Sequence, residues 1–284
     1  MAAEGRARDR VRACAGRREV RRGRVGPRKA RATYHALAIT IRCRRLGEAD
    51  RILTLYSRER GPIDAVVKGV GKPKSKLTPV TQLLSCNQLL LAEGKSLDVV
   101  AQVQVVDAFY PLRTDVLKFG WCCYVAELVA KTTEPGQASP KLFELLRGTL
   151  AEQTRAARPE PLVRAFECRL LGLLGFAPGT ESCGTCGADL AGDTLEYVAS
   201  AGRFHCGNCA GATPGGMRVC QGTLQAFRSL AGMPLDRVSR LALGSQIAAE
   251  LRRVLRAHID YHIGARFRSL DFLRQLQQNV VETA

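Results

Sequence analysis

The chain has 284 residues, of which 46% are hydrophobic, and a formal net charge of +17 at pH 7. This length accommodates two or three domains, and the excess of Lys and Arg favours a polyanionic partner. The sequence has no run of eighteen apolar residues and no apolar signal core near its start, so we expect neither a membrane protein nor a secreted one. Eleven cysteines without a secretory signal indicate a reducing compartment, the cytoplasm.

The first 32 residues form a strongly basic segment. Residues 1–31 carry eleven Arg and one Lys against three acidic residues, which is more than half of the net charge of the whole chain. Apolar periodicity is almost absent here, so we expect a disordered basic tail. Two alternatives stay open for it: weak binding of nucleic acid, or translation from an upstream start codon. A transit peptide is disfavoured because such peptides avoid acidic residues.

Five short strands are predicted between residues 33 and 110. In the first, Leu37, Ile39 and Ile41 alternate with smaller or polar residues, which is typical of a half-buried strand. The other four are predicted at 51–57, 62–67, 86–91 and 97–106. Five strands in roughly 75 residues predict a small closed barrel of the OB type, and such barrels commonly bind single-stranded nucleic acid.

A basic loop follows the third predicted strand. Its glycines Gly69 and Gly71 predict a flexible segment, and no acidic residue between Asp64 and Glu93 offsets its charge. Lysines in such a loop either lie on a solvated surface or contact phosphates of a nucleic acid. We favour phosphate contacts, which would bind the nucleic acid without recognising its base sequence. The lysines are Lys68, Lys72, Lys74 and Lys76.

From about Pro111 the apolar residues repeat with the period of a helix. The first helix is predicted near 116–129, and the second begins at Ser139-Pro140, where Ser can cap and Pro fits the first turn. The third begins at the prolines 159 and 161 and ends at Gly175. Helices are also predicted at 222–231 and 245–264. We therefore expect a helical domain in two parts, 111–180 and 216–284.

Two C-x2-C pairs separated by nineteen residues interrupt the helical pattern. This spacing is typical of a zinc ribbon, here expected at 181–215 with a hairpin that turns near Ala201-Gly202. Accidental pairs or disulfides are the alternative, which we disfavour. Because all four ligand positions are filled, we expect one structural zinc ion and no catalytic metal. The ligands would be Cys183, Cys186, Cys206 and Cys209.

Motifs of common enzymes are absent from the sequence. Gly94-Lys95-Ser96 lacks the earlier glycine of a phosphate loop, since that position is Leu89. His258 and His262 have helical spacing, but Ile259 stands where a zinc protease has its glutamate. The H-x-E motif of zinc deaminases and the G-x-S-x-G motif of serine hydrolases do not occur. We therefore expect a protein that is not an enzyme.

Four segments, in this order, resemble the bacterial RecO family of recombination mediators and DNA repair proteins. They are LGEADRILTLYSRERG at 46–61, the basic segment with Lys68-Gly69 and PKSK at 73–76, AFECRLLGLLGFAP at 165–178, and RFRSLDFL at 266–273. The resemblance covers about residues 34–276. It departs from the family at residues 1–32 and at 77–81, where LTPVT replaces a Gly-rich linker.

The resemblance implies an α+β multidomain protein with an N-terminal OB-fold β-barrel at 33–110 and a helical domain carrying an inserted four-cysteine zinc ribbon. It also implies binding of single- and double-stranded DNA and annealing of complementary strands without nucleotide hydrolysis. Implied partners are RecR, the acidic C-terminal tail of the single-stranded-DNA-binding protein and, indirectly, RecA. A zinc-ribbon RNA-binding factor remains the alternative. We expect the protein in the cytoplasm, associated with the nucleoid.

The resemblance also assigns residues to the DNA site. The family's basic patch corresponds to Lys68, Lys72, Lys74 and Lys76, with Arg42, Arg44, Arg45 and Arg51 as expected neighbours, and its metal ligands correspond to the four cysteines above. For the acidic tail of the partner we expect a site in the helical part, around Arg252, Arg253 and Arg256.

Overall fold

Five strands close into a barrel in the computed structural model, which describes residues 31–72 and 75–282. The strands are β1 (Thr33–Leu46), β2 (Asp50–Ser57), β3 (Gly61–Val67), β4 (Cys86–Ala92) and β5 (Asp98–Asp107). Their order around the barrel is β1-β2-β3-β5-β4, with β3 and β5 parallel and the other neighbours antiparallel. The predicted OB-like barrel is confirmed. The expected tail at 1–32 lies outside the described residues, apart from Arg31 and Ala32.

The two faces of the barrel wall pack into different cores, because side chains alternate along a strand. The inward residues form a small apolar core, which a 3-10 helix (Thr78–Thr81) completes through the buried Val80. On the outward face of β1, Ile39 and Ile41 pack with the helices that follow. The inward set includes Ala36, Ala38, Leu53, Leu55, Ala65, Val67, Leu89 and Leu91.

One irregularity in β1 decides where its arginines point. Thr40 pairs with Leu55 of β2 and Arg42 pairs with the next residue, Thr54, so Ile41 is an extra residue in the ladder. A β-bulge of this kind re-aims the side chains that follow it. Ile41 packs outward against the helices, and beyond it Arg42 and Arg44 take exposed outward positions.

Seven helices follow the barrel in the described part of the chain. They are α1 (Val116–Thr132), α2 (Pro140–Arg155), α3 (Glu160–Leu173), α4 (Gln221–Gly232), α5 (Leu235–Val238), α6 (Ser245–Ile263) and α7 (Arg268–Glu282). The predicted helices are confirmed, while α5 and α7 were not predicted. None of the described helices combines the length and the apolar content that a membrane span requires.

The predicted helix ends are also present. Ser139 caps α2, because its Oγ accepts a hydrogen bond from the backbone N–H of Leu142 at 3.3 Å. At the end of α3, Gly175 has φ +80°, and the next residue, Phe176, donates its N–H to the carbonyl of Leu171 at 2.8 Å. This is a Schellman motif, which explains why glycine stops the helix there.

A buried ion pair lies inside the helical core. Arg164 and Glu167 are only 3% and 1% exposed, and Arg164 Nη1 donates to Glu167 Oε2 at 2.6 Å. The Tyr124 hydroxyl donates to the other carboxylate oxygen, also at 2.6 Å, and the Trp121 ring lies 5.3 Å from the guanidinium carbon. This network joins α1 to α3 through charge and hydrogen bonds as well as apolar contact.

A three-stranded sheet is inserted between α3 and α4. It consists of β6 (Thr194–Val198), β7 (Arg203–His205) and β8 (Met217–Cys220) in the order β7-β6-β8. The predicted hairpin joins β6 to β7 and turns at 199–202. Tyr197 fixes the sheet to α6, because its hydroxyl donates to Nδ1 of His258, whose Nε2 donates to the Phe176 carbonyl at 2.7 Å. Burial lowers the pKa of His258 to about 4, so the ring stays neutral.

Candidate metal centre and nucleic-acid interface

The four cysteines of the two C-x2-C pairs converge on one point. The sulfur atoms of Cys183, Cys186, Cys206 and Cys209 all lie within 4.8 Å of one another. The Cys186 and Cys206 sulfurs are 3.8 Å apart, which equals the edge of a tetrahedron, about 3.8 Å, expected for a Zn–S bond of about 2.3 Å. Cys183 and Cys206 are buried, whereas Cys186 is exposed. The arrangement can hold a metal ion and leaves no ligand position for water.

Backbone hydrogen bonds hold the two turns in place. Gly184 donates to the carbonyl of Phe204 on β7 at 2.9 Å, which ties the first turn to the hairpin. In the second turn, the N–H of Cys209 donates to the carbonyl of Cys206 at 3.0 Å. His205 is buried beside the cluster, where its Nδ1 lies 2.9 Å from the Thr185 hydroxyl. His205 therefore supports the first turn.

The ionisation of the thiols favours a cation at their centre. Burial raises the pKa of Cys183. Hydrogen bonds to its sulfur from the backbone N–H groups of Cys186, Cys206 and Thr185 have a larger, opposite effect and lower this pKa to about 5. Hydrogen bonds to Cys186 and Cys206 instead raise the pKa of Cys209 to about 12. Four thiolates in this space repel one another unless a cation lies between them, so metal binding must release protons.

Several of the predicted DNA-binding residues meet at one end of the barrel. Arg45 of β1 lies opposite Arg51 of β2, which in turn lies opposite Val67 of β3, and Lys68 follows directly. Arg45 and Arg51 thus stand in one row on neighbouring strands, which are about 4.8 Å apart, and Lys68 lies one residue beyond this row, directly after β3. Lys72 and Lys76 are exposed in the loop that continues from this row. Lys74 lies outside the described residues.

The first part of the basic loop is hydrogen bonded and not free, contrary to the flexible loop that we expected. The N–H of Gly69 donates to Asp50 Oδ1 at 2.8 Å, and that of Gly71 donates to the Ala49 carbonyl at 2.9 Å. A Cβ on Gly71 would lie 3.1 Å from the Ala49 Cα, so glycine permits this close contact. The loop is held against the turn between β1 and β2 because Gly71 lets the backbones approach, while Gly69 adopts a positive φ of +67°.

Arg42 and Arg44 lie apart from this row. The bulge at Ile41 turns them to the outer side of β1, where they line a cavity of 1060 Å³ between the barrel and α1 and α7. The same cavity is lined by Lys131, Arg266 and Arg268, which our sequence reasoning did not assign to any site. The basic motif at 266–268 was visible in the sequence, but its position beside β1 depends on how α7 packs.

Comparison with protein-family models gives two matches that together span nearly the whole described chain. Residues 32–109 match the family described as recombination protein O N terminal, and residues 113–271 match recombination protein O C terminal. The boundary between the two matches coincides with the change from barrel to helices.

Similar proteins are named DNA repair protein RecO. That of Pelotomaculum thermopropionicum is 37% identical over 245 residues, covering 86% of this chain and 95% of the relative. That of Symbiobacterium thermophilum is 32% identical over 249 residues, covering 87% and 98% of the two chains. That of Moorella thermoacetica is 32% identical over 244 residues, covering 86% and 91%.

Proposed function

This chain belongs to the RecO family of DNA repair proteins, and we propose that it is a mediator that binds single- and double-stranded DNA and anneals complementary strands without enzymatic turnover. The observation that carries the proposal is the row of Arg45 and Arg51 on neighbouring strands at the end of an OB-like barrel, with Lys68 directly after the third strand. Cations in that position neutralise phosphates and lower the repulsion between two strands, so that base pairing can begin.

The proposed DNA site comprises both the row and the loop. The turn carboxylate of Asp50 already accepts a hydrogen bond from Gly69, so it opposes the cations less than a free carboxylate would. Arg51 donates to the Asp50 carbonyl at 2.8 Å, which holds its side chain at the barrel end. The full proposed set is Lys68, Lys72, Lys74, Lys76, Arg42, Arg44, Arg45 and Arg51.

We propose zinc as the metal of the cysteine cluster, with a structural role. Four thiolates within 4.8 Å of one another suit zinc, and a closed ligand set leaves no position for a substrate. The ion would hold the two turns together and so support the sheet that packs on α6. We propose that residues 33–110 form the DNA-binding domain and that residues 181–215 form the metal-binding ribbon. Residues 111–180 and 216–284 would form the helical domain that supports both.

Protein partners are proposed from the family: RecR, the single-stranded-DNA-binding protein through its acidic tail and, indirectly, RecA. We place the acidic tail at Arg252, Arg253 and Arg256 of α6. Arg252 and Arg256 line a cavity of 190 Å³ together with the apolar Leu270 and Leu273, whereas Arg253 lies outside it. Both lining arginines are paired with carboxylates, Glu160 and Asp260, so an acidic tail would replace these ion pairs. Association with coated DNA would place the protein on the nucleoid.

The test of the proposed function is annealing of complementary strands that are precoated with their cognate single-stranded-DNA-binding protein, with no nucleotide added. We expect the protein to accelerate annealing, and we expect the acceleration to fade as salt rises, because phosphate contacts release counterions. Failure to accelerate, together with tighter binding of RNA than of DNA of the same sequence, would favour the alternative of a zinc-ribbon RNA-binding factor.

Replacing the loop lysines should weaken DNA binding without changing the fold. For Lys72→Ala/Lys74→Ala/Lys76→Ala we expect affinity for single-stranded DNA to fall by about tenfold or more, and the log–log salt slope to become shallower by up to about 2. Fluorescence anisotropy at several salt concentrations measures both. The matched control is Lys141→Ala/Arg237→Ala/Arg240→Ala, which removes three exposed cations from the helical part. Equal affinities of the loop variant and the wild type would disprove the loop assignment.

A further inference from the structure

The cavity between β1, α1 and α7, which we call the groove, has the composition of a polyanion site. Five cationic side chains line it, against two carboxylates. Within the described residues, the side chains of Arg42, Arg44, Lys131 and Arg268 make no hydrogen bond or ion pair. All four are exposed. The cationic residues are Arg42, Arg44, Lys131, Arg266 and Arg268, and the acidic ones are Glu127 and Asp271.

Both carboxylates of the groove are engaged by other groups of the protein. Glu127 accepts hydrogen bonds from the N–H groups of Arg268 and Ser269 at 3.2 and 3.0 Å, which caps the start of α7. Although burial raises the pKa of Glu127, these bonds and that from the Ser269 hydroxyl outweigh it and lower the pKa below its usual value. Asp271 forms ion pairs with Arg266 and Arg274 at 3.1 and 3.0 Å. The acids therefore stabilise α7 and leave a cationic surface.

An exposed aromatic ring lies within this cationic surface. Phe272 of α7 lines the groove and is 45% exposed, although a ring of this size gains by burial. Cations beside an exposed aromatic ring are the arrangement that holds single-stranded nucleic acid, since phosphates contact the cations and unpaired bases stack on the ring. A duplex offers no unpaired base to such a ring, so the groove suits one strand.

We propose that the groove binds a second single strand of nucleic acid, with Arg42, Arg44, Lys131 and Arg268 contacting phosphates and Phe272 stacking on a base. The inference rests on the proposed DNA-binding function and adds a separate strand site to it. Arg44 and Arg45 are neighbours on β1, and successive side chains of a strand point to opposite faces. One strand at the barrel end and one in the groove would therefore lie on opposite sides of β1.

The first test removes charge from the helical wall of the groove only. Lys131→Gln/Arg268→Gln should make the salt slope of oligo-dT binding shallower by about 1.4 and slow strand annealing by about tenfold or more, with an unchanged melting temperature. The control Lys141→Gln/Arg240→Gln removes the same charge from residues that do not line the groove. If the wild type anneals DNA and both variants behave like it, the groove proposal is wrong while the proposed function stands. If the wild type neither binds nor anneals DNA, both are wrong.

The second test addresses the aromatic ring. Phe272→Leu keeps an apolar side chain against α1, where the ring packs near Gly120, but removes the stacking face. We expect affinity for oligo-dT to fall about fivefold or more while affinity for duplex DNA is unchanged. Equal affinities of Phe272→Leu and the wild type for oligo-dT would overturn the stacking contact.

Photo-crosslinking locates the strand directly. An oligonucleotide that carries 5-iodouracil should crosslink to the peptide containing Phe272, as identified by mass spectrometry, and the crosslink should disappear in Phe272→Leu. Crosslinks confined to barrel peptides would overturn the proposal. Binding of a fluorescent acidic peptide to the wild type and to Lys131→Gln/Arg268→Gln provides a further check. If the variant loses the peptide but retains DNA binding, the groove belongs to a protein partner and the proposal is overturned.

Discussion

Cys206→Ser is expected to lose the bound metal and to lower the free energy of unfolding by more than about 4 kcal/mol, the range in which loss of a metal site falls. Cys206 is the buried ligand of the second turn, and its own N–H lies 3.4 Å from the Cys183 sulfur. Loss of this sulfur opens the ligand set and separates the turns. Because Tyr197 connects the sheet to His258 of α6, the destabilisation should spread into the helical part. Metal analysis of purified protein and thermal unfolding measure the two effects.

Two comparisons separate loss of the metal from loss of a cysteine. Cys220→Ser changes a thiol of the same sheet that lies outside the cluster, and it should keep both metal and melting temperature. Wild-type protein treated with a strong chelator should melt like Cys206→Ser, since metal binding contributes to folding. A wild type that contains no metal and melts at the same temperature as Cys206→Ser would refute the structural role.

Glu167→Leu is expected to cost about 3–5 kcal/mol of stability, because it leaves the guanidinium of Arg164 buried without its partner. Arg164 is only 3% exposed, and its other carboxylate neighbour, Glu160, is farther away, at 3.8 Å. The Tyr124 hydroxyl loses its acceptor in the same variant. Urea unfolding followed by circular dichroism gives the free energy of unfolding.

The companion variant Arg164→Met/Glu167→Leu/Tyr124→Phe tests the reason for this cost. Replacement of a complete buried ion pair by apolar residues is often neutral or stabilising, so the triple variant should recover most of the loss. A triple variant as unstable as Glu167→Leu would show that shape, and not the unpaired charge, accounts for the effect. DNA binding should be retained in both variants, since neither changes a cationic side chain of the barrel end or of the groove.

The sequence was sufficient to predict the barrel, the main helices and the cysteine cluster, because each depends on local signals. Alternating apolar residues specify strands, Ser139 and Gly175 mark helix ends, and two C-x2-C pairs place thiols on tight turns. These features are encoded within a few residues of where they appear.

The division of the basic residues between two surfaces was not predicted, because it depends on distant parts of the chain. The extra residue at Ile41 is defined only by the register of β1 against β2, so the outward direction of Arg42 could not be read from β1 alone. Helix α7 was not predicted, although Leu270, Leu273 and Leu276 recur at helical spacing; only its packing on α1, which is far away in sequence, depends on the fold. The short strand β8 gives too few residues for a periodic signal.

The bulge at Ile41 also bears on how the barrel assembles. β1 is the longest strand and pairs with both β2 and β4, so an error in its alignment would disturb the whole barrel. A shift of one residue along β2 exchanges the two faces of a strand, which would place Arg42 and Arg44 among the inward leucines Leu53 and Leu55. Burying unpaired guanidinium groups costs several kcal/mol each. The two arginines of β1 that line the groove therefore also discriminate against misaligned pairing while the chain folds.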